Sequence, residues 1–156
     1  MASTYTYRSP LLLRSWMVAV NLSAQALPLP EEKAHATEAS PGIWLSYQYE
    51  PGPNTLRPLL QADERNFLAL GLRLVADQIS ATAKHLPALI HVEELTFGLC
   101  DYQPEGLACA MAGWAAQEFG FAKPRIPVTA DRDKRRYVFH FDQTTFASSG
   151  ESKGAM

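Results

Sequence analysis

The chain has 156 residues, of which 47% are hydrophobic and 19% are charged, and its formal net charge at pH 7 is −2. This length and composition predict one globular domain with its own core and exclude a chain that is disordered throughout. The slightly acidic balance gives no overall attraction to nucleic acid, and no stretch approaches the ~20 apolar residues of a membrane-spanning helix. We therefore expect neither a nucleic acid nor a membrane as a partner.

Three strands are predicted in the first third of the chain. Residues 4–8 and 11–22 are rich in β-branched and aromatic side chains, and residues 42–50 alternate apolar with polar side chains. Between the second and third strands, residues 23–42 contain several Pro, Glu, Ser and Gly residues. That composition predicts a mobile loop.

Two features of the sequence indicate where in the cell the protein is expected. Within residues 1–26, an apolar run followed by small residues resembles a secretory signal peptide with its cleavage site. Arg14 interrupts this run and favours a strand instead, so both interpretations stay open. Cys100 and Cys109 form no C-x-x-C pair, and we expect both to be reduced thiols of a cytoplasmic protein.

A helix of about six turns is predicted in the middle of the chain, because apolar residues recur there at i, i+3 and i+4. It begins at Pro58 or Asp63 and ends before Leu86-Pro87. Residues 89–97 form the next predicted strand.

A second helix is predicted from Pro104 to Phe119, with Gly120 as its left-handed C-terminal residue. Residues 107–116 (LACAMAGWAA) carry no charge and are mostly Ala, Gly and Cys. A helix that is apolar nearly all round is buried on more than one side. We expect its large side chains to face the sheet, and Gly113 and the alanines to allow close approach of the long helix or of a second chain.

A hairpin of residues 126–130 and 135–141 is predicted to close the domain of residues 1–143, and residues 144–156 are predicted to form a flexible tail. The predicted order is therefore β(β)–β–α–β–α–ββ. Since strands and helices do not alternate strictly, this order predicts an α+β fold, in which two helices pack on one face of a mixed or antiparallel sheet.

The second half of this order resembles a known domain. Residues 67–128 run from the long helix through the strand HVEELTFG and Asp101 to the helix EGLACAMAGWAAQEFG and a strand after Lys123-Pro124. This arrangement is similar to domain IV of elongation factor G, a member of the ribosomal protein S5 domain 2-like fold. The resemblance implies that fold here; because the chain lacks a phosphate loop, it implies neither GTP hydrolysis nor translocation.

Three residues are candidates for acid–base or metal chemistry, although the chain contains none of the common phosphate-binding, zinc or acyl-transfer motifs. His91 and Glu93 are two apart on one predicted strand and share a face, and Asp101 follows. No second His lies near them to complete a set of metal ligands. We therefore expect no bound metal and no cofactor, and polar positions at a sheet edge are the alternative interpretation.

Three residues at the start of the second helix are candidates for binding a ligand. Helix N-termini attract anions, and Cys100, Asp101 and Glu105 lie at this one. The alternative is capping, in which Asp101 or Gln103 accepts hydrogen bonds from the free N–H groups and Glu105 interacts favourably with the helix dipole.

The leading functional hypothesis is a non-enzymatic protein- or ligand-binding module, with a protein partner or self-association through the small-residue helix or an edge strand. A small enzyme that uses Glu93, His91 or Asp101 as acid or base in a pocket between sheet and helices is the first alternative. A ribosome- or RNA-associated factor is the second, on the fold resemblance alone. The basic residues 131–136 do not add to it, because two Asp residues dilute their charge.

Overall fold

The computed structural model of the chain describes residues 2–13, 17–31, 36–47, 62–97 and 103–146. Within these ranges the chain forms seven strands, three α-helices and a short 3-10 helix, which is an α+β fold. The strands are β1 (Ser3–Arg8), β2 (Ala19–Pro28), β3 (Ala36–Ser40), β4 (Ile43–Tyr47), β5 (Ala88–Thr96), β6 (Val128–Asp131) and β7 (Arg136–Phe139). The helices are α1 (Ala62–Leu74), α2 (Ala76–Thr82) and α3 (Glu105–Phe119), and the 3-10 helix spans Phe141–Gln143.

Five strands form one mixed sheet in the order β1-β2-β5-β4-β3. The pair β4–β5 is parallel, whereas β1–β2, β2–β5 and β3–β4 are antiparallel. Strand β5 therefore lies between two hairpins that precede it in the chain. The predicted mixed sheet is confirmed, but the predicted closing hairpin, β6–β7, forms a separate two-stranded sheet.

The burial pattern along β2 shows which face of the sheet is covered. Val20, Leu22 and Ala24 are fully buried, whereas the alternating Asn21 is exposed and Ser23 is half-buried. Successive side chains of a strand point to opposite faces, so the buried set marks the face that packs against the helices. This main core contains Leu68 and Leu72 from α1 and Leu107, Met111 and Trp114 from α3.

Helix α3 is buried all round, as its composition predicts. Every residue from Gly106 to Ala116 is buried. One side of the helix contacts the main core, and Cys109 belongs to a second, smaller cluster formed with Val18, Tyr137 and Phe139. We call this cluster the hairpin core, because Tyr137 and Phe139 come from β7.

Two glycines allow close approach to α3. A Cβ atom on Gly71 would lie 2.6 Å from the carbonyl oxygen of Ala108, so the backbones of α1 and α3 are in contact. A Cβ atom on Gly113 would overlap the ring of Tyr5. The expected close contact at Gly113 is therefore present, but its partner is a side chain of β1, whereas the prediction named the long helix or a second chain.

The prediction of a loop over residues 23–42 is wrong for most of that range. Strand β2 begins at Ala19 and continues to Pro28, and β3 occupies Ala36–Ser40. Pro28 and Glu38 themselves lie in these strands, so the Pro and Glu content of this range does not mark a loop. Strand β3 (ATEAS) has little intrinsic β-propensity and is stabilised by its pairing with β4, which composition does not reveal.

The predicted long helix is two helices, separated at Val75. The Val75 N–H donates to the carbonyl of Leu72 in a tighter turn, and the Val75 side chain is fully buried. The described ranges therefore contain three α-helices where the sequence predicts two. None of the helices in the described ranges is long and apolar enough to cross a membrane.

The predicted start of the flexible tail, residue 144, lies too early in the chain. Thr145 forms a bridge with Arg125, with two backbone hydrogen bonds of 2.8 and 3.0 Å, and Phe146 packs against the main core. The rest of the predicted tail, residues 147–156, lies outside the described residues.

Candidate ligand-binding pocket

A pocket of about 340 Å³ lies between β1, α3 and the segment that follows α3. Its size is at the lower end of the range for small-molecule sites. The side chains discussed below come from all three elements: Tyr5, Tyr7, Cys109, Lys123, Arg125 and Ile126.

The local structure places these residues side by side. Tyr5 and Tyr7 alternate along β1 and so share the face that meets α3, and Cys109 and Gly113 are one helical turn apart on α3. Gly120 ends the helix with φ +80°, and the N–H groups of Gly120 and Phe121 both donate to the carbonyl of Ala116. This left-handed turn reverses the chain, so the following segment passes beside the pocket.

The rim of the pocket is cationic. The Nζ atom of Lys123 lies 4.9 Å from the centre of the Tyr5 ring, and Arg8 and Arg125 line the same pocket. All three cationic residues are exposed. Among the described residues that line the pocket, none carries a carboxylate. An anion that enters the pocket therefore meets cations with no competing carboxylate in the lining.

The inner part of the pocket is uncharged. Cys109 lines it and is only 4% exposed, and its thiol interacts with the hydroxyl of Tyr7. Burial raises the pKa of Cys109 to about 12 and also raises the pKa of Tyr7 well above its usual range. Both groups are therefore protonated at neutral pH. A thiol with so high a pKa is a poor nucleophile.

His91 and Glu93 share a face of β5, as predicted, but they lie apart from this pocket. His91 Nδ1 is 2.8 Å from Ser46 Oγ, and Glu93 Oε2 accepts a hydrogen bond of 2.6 Å from Gln25 Nε2. Strand β5 has one extra residue opposite β2 at this point, a bulge that brings Glu93 to Gln25. Both side chains thus have partners within the sheet, and Asp101 lies outside the described residues.

At the start of α3, where a ligand site is predicted, the described side chains of Glu105 and Gln103 form contacts within the chain. Glu105 Oε2 lies 2.7 Å from Arg136 Nη2, an ion pair with the hairpin. The capping role expected of Gln103 is wrong: its Oε1 accepts from the Tyr137 N–H at 2.6 Å, and its Nε2 donates to the Tyr137 carbonyl at 3.0 Å. Cys100 and Asp101 lie outside the described residues.

Metal ligands are not clustered in the part of the chain that the structure describes. No group of three His, Cys, Asp or Glu side chains comes together there. A second pocket, of about 240 Å³, lies beside the C-terminal end of α3, and its lining includes Lys84, His85, Glu118 and Phe119. It contains charges of both signs, so it lacks the electrostatic selectivity of the pocket beside β1.

The residues of the cationic pocket were not identified from the sequence. Two weak signals exist: the alternation of Tyr5 and Tyr7 on one strand, and the close spacing of Lys123 and Arg125. More than a hundred residues separate these two groups, which meet because α3 packs against β1 and the chain turns at Gly120.

Comparisons with known proteins add no relatives. No family model matches the chain, and no curated protein or solved structure matches it. The resemblance to domain IV of elongation factor G rests on element order, helix lengths and the acidic residues that lead into a small-residue helix, and it stays a prediction.

Proposed function

We propose that the protein is a binding module for a small anion, which occupies the pocket between β1, α3 and residues 123–128. The observation that carries this proposal is the grouping of Lys123, Arg125 and Arg8 around a pocket whose described lining has no carboxylate. Cations that line a pocket without a carboxylate in its described lining favour a negatively charged ligand, and hydrogen bonds to charged groups contribute about 1.5–3 kcal/mol each.

The ring of Tyr5 supports the same proposal. It lies beneath the Lys123 ammonium on one side and against Gly113 on another, so it is held in place before any ligand binds. A preorganised aromatic wall reduces the entropy lost on binding. The cation–π contact contributes about 0.5–1 kcal/mol at an exposed site such as this one.

The enzyme hypothesis has less support. His91 and Glu93 have hydrogen-bond partners within the sheet, and neither lines the cationic pocket. The pocket itself contains a protonated thiol and a protonated tyrosine near its floor, and neither is a general base at neutral pH.

Self-association through the small-residue face of α3 also has less support. In the described structure that face is covered by Gly71 of α1 and by Tyr5 of β1. A second copy would have to use another surface, such as the outer edge of β1 or β3. At the hairpin tip, Asp131 accepts a hydrogen bond from the Lys134 N–H and Arg136 pairs with Glu105, which reduces the charge available to RNA.

Isothermal titration with phosphate, citrate and benzoate tests the proposal. We expect at least one of these anions to bind with a Kd of about 1 mM or lower. Lys123→Met should weaken that binding about tenfold, because it removes a charged contact. Lys134→Met removes an exposed cation at the hairpin tip and is the matched control, which should bind like the wild type. If no anion binds, or if both variants behave alike, the proposal is wrong.

A further inference from the structure

The pocket has two ends of different chemistry. Lys123 and Arg125 are exposed at its rim, whereas Cys109 and Gly113 are buried at its base. The charge therefore changes from cationic at the surface to neutral inside. A ligand that fills the whole pocket must match this distribution of charge, with its anionic group at the rim and its uncharged part inside.

The base of the pocket disfavours a second charge. Ile126 and Val128 line the pocket, are half-buried and pack against the hairpin core, to which Cys109 also belongs. The Cys109 thiol and the Tyr7 hydroxyl stay protonated at neutral pH. A charged group moved to this position would lose its hydration without gaining a cationic partner, whereas an apolar or aromatic group would not. Polyanions such as citrate are therefore poor candidates for filling this pocket.

Building on the proposed function, we infer that the ligand is an aromatic acid with a single ring and one negative charge, bound with its carboxylate at the rim and its ring at the base. The volume of about 340 Å³ accommodates one ring with its substituents. Tyr5 lines the same pocket, so its ring is within reach of the ligand's ring, and aromatic rings in proteins pair at centroid separations of about 4.5–7 Å. Lys123 and Arg125 hold the carboxylate by charge-assisted hydrogen bonds.

Benzoate is the probe for this inference, with citrate, phosphate and neutral benzamide as comparisons in isothermal titration. We expect benzoate to bind at least tenfold more tightly than each of the other three. Nuclear Overhauser contacts should connect the ring protons of benzoate with the methyl groups of Ile126 and Val128, which reports the orientation directly.

Two variants separate the base of the pocket from its rim. Ile126→Phe fills the base and should weaken benzoate binding at least tenfold while leaving phosphate binding unchanged. Arg125→Met removes rim charge and should weaken both anions. Val138→Phe adds the same bulk at an exposed position of the hairpin and is the matched control, and thermal unfolding confirms that each variant is folded.

The outcomes distinguish this inference from the proposed function. If phosphate or citrate binds as tightly as benzoate, or if Ile126→Phe weakens all anions equally, the aromatic-acid inference is overturned and the anion-binding proposal stands. If benzamide binds as tightly as benzoate, or if nothing binds, the proposed function is itself overturned.

Discussion

The two sides of α3 are packed to different degrees. On the side of the main core, the Gly71 backbone touches the backbone at Ala108. Fully buried side chains of both helices pack there: Leu68, Leu72, Leu107 and Met111. On the side of the hairpin core, a pocket of about 340 Å³ reaches in to Cys109. The difference shows that one buried helix has two roles. Close packing on the side of the main core holds α3 in position, so the side that faces the hairpin core can border an open pocket.

The largest expected effect comes from the tightly packed side. Trp114 is fully buried, and its indole N–H donates to Ser3. Trp114→Ala should lower the free energy of unfolding by about 3–5 kcal/mol, measured by urea denaturation. Val138→Ala, at an exposed position of β7, is the control and should change it by less than about 0.5 kcal/mol. A loss below about 1 kcal/mol in Trp114→Ala would show that this side tolerates a cavity.

Two glycine substitutions compare the two sides directly. Gly71→Ala places a methyl group against a backbone carbonyl, which cannot move without α3, and should cost about 1–3 kcal/mol of stability. Gly113→Ala places the same group against the end of the Tyr5 side chain, and displacing a side chain costs less than displacing a backbone carbonyl. We expect a smaller loss of stability there and a loss of benzoate binding, measured by thermal unfolding and by titration. The comparison is wrong if Gly113→Ala loses more stability than Gly71→Ala, or if only Gly71→Ala loses benzoate binding.

The attachment of the hairpin is expected to have the next largest effect. Gln103→Leu leaves the buried N–H and C=O of Tyr137 without their side-chain partner and should cost about 1–2 kcal/mol. Amide hydrogen exchange should become faster in β6 and β7 and stay unchanged in the five-stranded sheet. Gln117→Leu is the control, because Gln117 is exposed. Equal acceleration in both sheets would mean that the hairpin does not open independently.

The smallest effect concerns pH. Because burial raises the pKa of Cys109 from 9.0 to about 12, the unfolded thiol ionises above pH 9 while the folded thiol keeps its proton. The free energy of unfolding should fall with rising pH in this range, by about 1.4 kcal/mol per pH unit at most. Denaturation at pH 9 and pH 10 measures this slope, and Cys109→Ser should make it shallower. An unchanged slope in the variant would show that this thiol is not the group responsible.

The sequence predicted the elements that have a strong local pattern. The uncharged run in α3 predicted burial on several sides, and Gly120 correctly marked its C-terminal end. The class of fold, α+β with a mixed sheet, followed from element order. Strand β3 was missed because its pairing with β4 is a tertiary effect, and the break at Val75 was missed because the apolar periodicity continues across it.

The candidate site was harder to predict than the fold. Two of its three cations belong to residues 123–125, which look like an ordinary exposed linker in the sequence. The third cation, Arg8, and the aromatic residues belong to the first strand. Burial of Cys109 could be inferred from its helix, but the space beside it could not. A pocket depends on which volumes the surrounding side chains leave unfilled, and sequence periodicity carries no information about that.

The position of β5 has a consequence for synthesis of the chain. Strands β1–β2 and β3–β4 are local hairpins, but only β5 joins them, by pairing with β2 and with β4. A nascent or truncated chain that ends before Ala88 therefore has two hairpins, each with an unpaired edge where β5 belongs. Such edges pair readily with other chains. Fragments that stop short of β5 should therefore aggregate, and folding during translation must wait until this strand has left the ribosome.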